Sequence, residues 1–404
     1  MTSAESTASE PPGVFDPGVF DEARLGPIAL RNRTIKAATF EGRTPDALVT
    51  DDLIEFHRSV AAGGVGMTTV AYLAASPEGR TDRHQIHMRP AAVPGLRRLT
   101  DAIHAEGAAV AAQIGHAGPV ANAASNRAHA LAPSAQISPL SLRLTRKATK
   151  ADIRRITADH ARAARHAVES GFDSVEIHLG HNYLSSAFLS PAINHRTDEY
   201  GGPLENRARV AREVTQAVRA EVGDEVAVTA KLNMDDGVPG GFWLDESLQV
   251  AQWLEQDAAL DALELTCGSS LKNPLYLFRG DVPLRDFAAA MPQPQRAGLR
   301  AVGRLFLKKY PYEPLYMLDY ARQFRDALSM PLILLGGVTD YDGMSAAMAE
   351  GFEFVAMARA LLREPDLVRR VEADHRTRSL CIHCNRCMPT IYSRSRCVLV
   401  GENG

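Results

Sequence analysis

Short apolar runs rich in β-branched residues alternate along this chain with longer segments whose apolar positions recur every three or four residues. The runs predict strands over residues 33–38, 66–71, 108–114, 174–178, 226–232, 262–266, 331–335 and 354–358. The longer spacing predicts helices over 51–62, 95–106, 150–170, 204–222, 245–256, 314–328 and 341–350. Gly107 and Gly171 close two of these helices, where a left-handed cap suits glycine. Eight strand–helix alternations predict an α/β fold with its parallel sheet closed as a (β/α)8 TIM barrel. A doubly wound open sheet is the rival. It would gather ligand residues at one or two crevices, whereas here suggestive polar residues follow nearly every strand.

Two connections are longer than the barrel requires. Residues 117–149 are rich in Ala, Ser and Pro, and residues 268–313 mix Arg and Lys with Tyr and Phe. In a barrel both leave the C-terminal ends of strands, so they are expected to act as lids over the catalytic face. The expected organisation is a disordered tail over 1–20, a barrel over 21–375 and a Cys-rich tail over 376–404.

Composition narrows the function classes. The 404 residues are 45% apolar and 23% charged, ordinary for a globular protein with a large core. A net charge of -3 without a basic stripe argues against nucleic acid and acidic membrane as partners. No apolar run approaches the roughly 20 residues of a membrane span, and MTSAESTASEPPG has neither the basic start nor the apolar core of a secretory signal. Cytoplasm, a small-molecule substrate and a possible homo-oligomer are the resulting expectations. No G-x-G-x-x-G with a downstream acidic partner is present, so a Rossmann nucleotide domain is not supported.

The richest stretch is 175–206, VEIHLGHNYLSSAFLSPAINHRTDEYGGPLEN. It opens as a buried strand and ends in a loop dense in His, Tyr, Asn, Arg and Asp. From residue types alone, His178 and His181 could be metal ligands or ordinary loop histidines, but no HExxH-like pattern or third ligand accompanies them. The stretch resembles the signature of the Old Yellow Enzyme family of FMN-containing ene-reductases. That resemblance implies that His178 and His181 bind the carbonyl or nitro oxygen of a substrate and that Tyr183 donates the proton. Two imidazole donors on one oxygen would stabilise the enolate-like charge that builds as hydride arrives. Arg196, Asp198 and Glu199 are expected instead to tie the loop to the barrel.

The same resemblance implies a flavin pocket assembled from other strand ends. Ala37, Ala38 and Thr39 would line the flavin, and Gln113 in QIGHAG would meet its pyrimidine edge with a group that both donates and accepts. Lys231 stands where most relatives carry Arg, keeping the charge but not the planar fork. Gly336, Gly337 and Arg359, at the ends of the seventh and eighth strands, would take the phosphate. Phe40 and Tyr72 depart from the family pattern, which has Thr or Cys and Ala at those places.

Cys381, Cys384, Cys387 and Cys397 are similar to the C-x-x-C-N segment of longer relatives, the 2,4-dienoyl-CoA reductase group, where it binds a 4Fe–4S cluster. The gaps here are shorter, and a 4Fe–4S cluster, zinc and free thiols all remain open. Cys267 reads as a buried small hydrophobe. The expected activity is hydride transfer from NADH or NADPH through FMN to an activated C=C bond. The rival readings are an iron–sulfur flavoprotein or demethylating dehydrogenase with a separate electron partner, and a flavin- or ligand-binding barrel without turnover.

Overall fold

The computed structural model describes residues 18–139, 141–291, 293 and 295–401. Eight parallel strands close into a barrel: β1 Thr34–Lys36, β2 Met67–Ala74, β3 Ala109–Gly115, β4 Ser174–Leu179, β5 Ala227–Asn233, β6 Ala262–Thr266, β7 Leu332–Leu335 and β8 Phe354–Met357. Each pairs with its neighbours in chain order, and β8 returns to β1. The predicted (β/α)8 architecture is therefore the observed one.

Alternation along the strands sorts side chains between two cores. Ile35, Met67, Ala111, Ala227, Ala262, Ile333 and Phe354 form the inner cluster. Val110, Ala112, Val228, Ala230, Leu332, Leu334 and Val355 face the helices in the outer one. A hairpin of Ala23–Leu25 and Ile28–Leu30 places Leu25 and Leu30 in the inner cluster, so it plugs the N-terminal end of the barrel. The main outer helices are α1 Asp51–Ala62, α2 Val93–His104, α3 Lys150–Glu169, α4 Leu204–Val222, α5 Leu244–Gln256, α6 Leu318–Ala327 and α7 Tyr341–Ala349, followed by the short α8 Arg359–Arg363 and α9 Leu367–Ala373. Thr149 and Asp152 start α3 with a reciprocal capping box.

Several boundaries differ from the sequence expectation for local reasons. The first strand is only three residues long, because the chain turns away once the Ala37 N–H has donated to the Met357 carbonyl (2.8 Å). The second runs on to Ala74 through an irregularity in register between Val70 and Leu73. The helix expected from residue 314 starts at Leu318, since Leu315 is left-handed (φ 51°) and cannot join it. Of the tail expected over 1–20, residues 1–17 lie outside the described residues, and Val19 is already part of the core.

The long excursions leave the C-terminal ends of β3 and β6. The first carries the helix Ala123–Asn126 and a parallel strand pair, Leu131–Ala132 with Arg146–Lys147. The second carries the helices Pro274–Leu277, Leu284–Ala290 and Gln295–Phe306. The Cys-rich tail packs back onto the same face. Asn385 meets residues 278 and 281, while the Ser395 N–H donates to the Glu41 carbonyl at 2.8 Å. No helix among the described residues is long and apolar enough to cross a membrane.

Candidate active site

Residues two apart on a strand share a face, so β4 aims both Glu176 and His178 inward, β5 aims Lys231, and β6 aims Glu264 and Thr266. The inward groups stack in two layers.

The upper layer holds His178, His181 and Tyr183. His178 is buried, and its ring centroid lies 5.1 Å from that of His181 and 4.4 Å from that of Tyr183. Its Nδ1 accepts the Gly180 N–H at 3.3 Å, which selects the tautomer that carries its proton on Nε2. His181 and Asn182 are both left-handed (φ 59°), and that turn brings His181 Nε2 to 3.0 Å from Thr266 Oγ1. Asn233 braces the turn by accepting the His181 N–H at 3.0 Å, and Asp236 holds both Asn233 and Asn182. Burial, then the positive charge of Lys231, pushes His181 down to about 3. Burial, His181 and Lys231 push His178 well below its usual value. Both imidazoles are thereby held neutral at physiological pH.

Tyr183 leads into the helix Leu184–Leu189 and is half-buried. The edge of Tyr72 packs on it with centroids 5.3 Å apart. Tyr72 donates its own hydroxyl to the Gly79 carbonyl (2.8 Å) and accepts from Thr81 (3.1 Å). It is therefore a fixed aromatic wall whose proton is held by the loop. Phe40 packs against the same cluster.

The lower layer is ionic. Lys231 Nζ lies 3.1 Å from Glu176 Oε1 and 2.9 Å from Glu264 Oε1, and Gln113 Nε2 donates to Glu176 Oε1 at 2.6 Å. Gln113 and Lys231, both expected in the flavin pocket, are thus joined through the Glu176 carboxylate. Ala37 lies in the inner cluster, and Ala38 packs beside Ala71 and Tyr72. Thr39 Oγ1 accepts from Lys36 Nζ at 2.9 Å. Lys36 points to the helix side of β1, toward Glu41 (3.7 Å), and burial lowers it to about 8.

Gly336 and Gly337 are left-handed (φ 103° and 84°). A Cβ would strike the Met317 side chain at the first and the Leu315 backbone nitrogen at the second, so the turn after β7 admits only glycine. Arg359 donates to the Arg279 carbonyl at 2.8 Å and to Asn385 Oδ1. Arg279 sits near the rings of Tyr276 and Tyr316, and its Nε is buried without a hydrogen-bond partner among the described residues. Two guanidinium groups, one with an unmet donor, beside a glycine turn suit the dianionic phosphate of FMN.

The four tail cysteines line one small pocket together with Arg359 and Arg363. Burial raises Cys381 and lifts Cys387 to about 12. Among the described residues no group of three or more His, Cys, Asp or Glu is arranged to hold a metal ion. Cys267 is buried at the end of β6 as expected. The loop residues also behave as expected: Arg196 grips Asp198 through two bonds (2.9 and 2.6 Å) and the carbonyls of Pro133 and Ala148, while Glu199 pairs with Lys150.

Sequence reasoning missed Glu176, Glu264, Thr266 and Asn233. The signal was present, because each stands two residues from another inward polar group on the same strand. Those strands were read for their apolar content, which hid the polar alternation.

Comparison with known proteins extends the match beyond the 175–206 stretch. Residues 18–265 match the model of the NADH:flavin oxidoreductase / NADH oxidase family. A 4,4'-dithiodibutanoate disulfide reductase of Rhodococcus erythropolis is 56% identical over 393 residues, which is 97% of this chain and 96% of that protein. A metal reductase of Desulforamulus reducens is 33% identical over 95% of this chain but only 53% of its own length. The solved 2-naphthoyl-CoA reductase superposes with a TM-score of 0.80 at 25% identity, over 96% of this chain and 57% of that one. The chain thus spans about half the length of these last two proteins. By its barrel, its strand-end residues and these matches, the chain belongs to the NADH:flavin oxidoreductase / NADH oxidase family, that of the Old Yellow Enzymes.

Proposed function

We propose that the protein is an FMN-dependent NAD(P)H reductase that delivers hydride to a small organic acceptor held by His178 and His181 and protonated by Tyr183. One observation carries this reading: at the mouth of the barrel the His178 ring packs 5.1 Å from the His181 ring and 4.4 Å from the Tyr183 phenol. Arg359, Arg279 and the Gly336–Gly337 turn would hold the phosphate, and Thr39, Ala37, Ala38, Gln113 and Lys231 would meet the ring. FMN, when bound, supplies the hydride that it has received from NADH or NADPH.

The residues do the rest. With an activated C=C bond as acceptor, the His178 Nε2–H and the His181 ring bind the conjugated oxygen. Because they are neutral, they remain donors without a competing proton loss as negative charge builds on that oxygen. The Tyr183 hydroxyl is the group placed to give its proton to the α-carbon. Tyr72 walls that phenol on one side while keeping its own proton on Gly79.

A second acceptor class, an organic disulfide, is favoured by the 56% identity to a disulfide reductase. Here the S–S bond breaks, one sulfur gains the hydride as S–H, and the other leaves as a thiolate. The histidines would stabilise that thiolate, and Tyr183 would protonate it. Cys381, Cys384, Cys387 and Cys397 line one pocket but, among the described residues, are not arranged to hold a metal ion, and this reading routes no electrons through them. Metal and acid-labile sulfide analysis of protein purified without oxygen distinguishes cluster, zinc and free thiols.

The deciding experiment is anaerobic. NADPH should bleach the FMN-loaded protein, and 2-cyclohexenone should restore its colour. Recovery with 4,4'-dithiodibutanoate but not with the enone selects the disulfide reading, and recovery with neither rejects both.

A further inference from the structure

Two carboxylates and one ammonium are sealed together inside the barrel. The side chains of Lys231, Glu176 and Glu264 are 2%, 3% and 0% exposed. Around them, β3 contributes the uncharged Gln113, β4 His178, and β6 Thr266; β1, β7 and β8 contribute Ala37, Ile333 and Ala356. His178 and the adjoining His181 are neutral, and Lys36 lies on the far side of β1 with Glu41. With every group in its usual state the layer would carry one uncompensated negative charge. Burying such a charge costs several kcal/mol, more than binding a proton near neutral pH.

The proton has one preferred seat. Glu176 accepts from both Gln113 (2.6 Å) and Lys231 (3.1 Å). Glu264 faces Lys231 at 2.9 Å, but among the described residues neither of its oxygens lies in an aligned hydrogen bond. At Glu176 the cost of burial is outweighed by Lys231, Glu264 and Gln113, which together hold it low, whereas burial and the neighbouring Glu176, opposed by Lys231, lift Glu264 to about 8.

We infer that Glu264 is the proton-exchanging carboxyl of this site, taking up a solvent proton when a flavin beside Lys231 is reduced and releasing it on reoxidation. Where Glu264 is ionised in the oxidised protein, reduction would bring two electrons and one proton to the flavin and a second proton to the Glu264 carboxylate; where the carboxyl is already neutral, only the flavin would gain a proton. Reduction places negative charge beside Lys231, which weakens the hold of that cation on Glu264 and favours the neutral acid. Glu264 is thus a positioning residue acting through Lys231, and the inference rests on the flavin reading above.

The test is the pH dependence of the two-electron midpoint potential of the FMN-loaded protein. The slope should be that of one proton per two electrons between pH 7 and 8. It should double above about pH 8, where Glu264 is ionised only in the oxidised protein. Glu264→Gln should keep the single slope throughout, and Glu264→Asp should restore the break. Infrared difference spectra between pH 7 and pH 10 should show a protonated-carboxyl band in the wild type that Glu264→Gln lacks. If Glu264→Gln fails to fold, the wild-type slope and band decide alone. A wild type with one slope and no band, or a glutamine variant that keeps the break, overturns the inference while leaving flavin binding intact. A protein that binds no FMN overturns the flavin reading and this coupling with it.

Discussion

Glu176 and His178 stand two residues apart on β4, face the same way, and belong to layers that solve burial in opposite ways. In the upper layer polar rings lose their charge: burial holds His178 and His181 neutral, and their contacts are rings, one hydroxyl and backbone. In the lower layer one ion pair is retained, Lys231 with Glu176, while burial holds the adjoining Glu264 toward its neutral acid. A layer that must receive a ligand keeps donors available, whereas a layer that supports it is closed by its own ion pairs. The two also answer pH in opposite senses. The histidines are depressed below 6.5, so they favour the folded state above that pH and lose this contribution as pH falls. Glu264 is raised from 4.5 to about 8, so its contribution is full below pH 4.5 and is lost as pH rises toward 8.

The largest expected effect is in the lower layer. Lys231→Met leaves two carboxylates buried without their cation and should cost about 3–5 kcal/mol of stability. Urea unfolding should show a greater loss at pH 8 than at pH 5, because protonation relieves both carboxylates. An equal loss at the two pH values would mean that the layer is not ionic. Next comes Tyr183→Phe, which should lower kcat by about 10²–10⁴-fold with the accepted substrate while leaving the fold intact. An unchanged rate removes the proton-donor role.

His181→Ala should reduce kcat/KM by about 10²-fold, the usual cost of losing one donor to a developing anion. Because His181 titrates at about 3, the wild-type rate should show no acid limb from it between pH 5 and 8. Such a limb, if abolished by His181→Ala, would show the ring to be charged and the contrast between layers false. The smallest effect is expected at Phe40, which has a hydrocarbon ring where the family has a hydroxyl or thiol. Phe40→Thr should raise the flavin midpoint potential by restoring a donor, and equal potentials in a redox titration would show that residue 40 does not reach the flavin.

Much of the upper layer was legible in advance because its residues lie close together in the sequence. His178, His181 and Tyr183 lie within one strand end and its loop, so local spacing brings them together on almost any barrel. Tyr72 was visible only as a misfit. Its use as a wall depends on Gly79 and Thr81, which return to its hydroxyl through the loop after β2. Arg359 was expected at the phosphate, but its partners Arg279 and Asn385 lie 80 and 26 residues away; Arg279 carries no motif, and Asn385, although it ends the C-x-x-C-N segment, shows nothing there of a contact with Arg359. The tail shows the same limit. Its cysteine spacing was plain, yet nothing local indicated that Asn385 would strap residues 278–281 or that Ser395 would pair with Glu41.

Taken alone, the order of residues determined the barrel, through eight apolar strands of the right length and period, and the family, through a long match at 175–206. Both are local or repetitive properties that survive without knowledge of contacts. The tertiary structure alone decided which charges meet. Glu176, Lys231 and Glu264 come from three strands separated by 55 and 33 residues, and each is unremarkable where it stands. Closing the sheet makes β4, β5 and β6 neighbours and puts the three side chains within about one ion-pair distance. In the dry interior that proximity sets their protonation, and no reading of one strand at a time contains it.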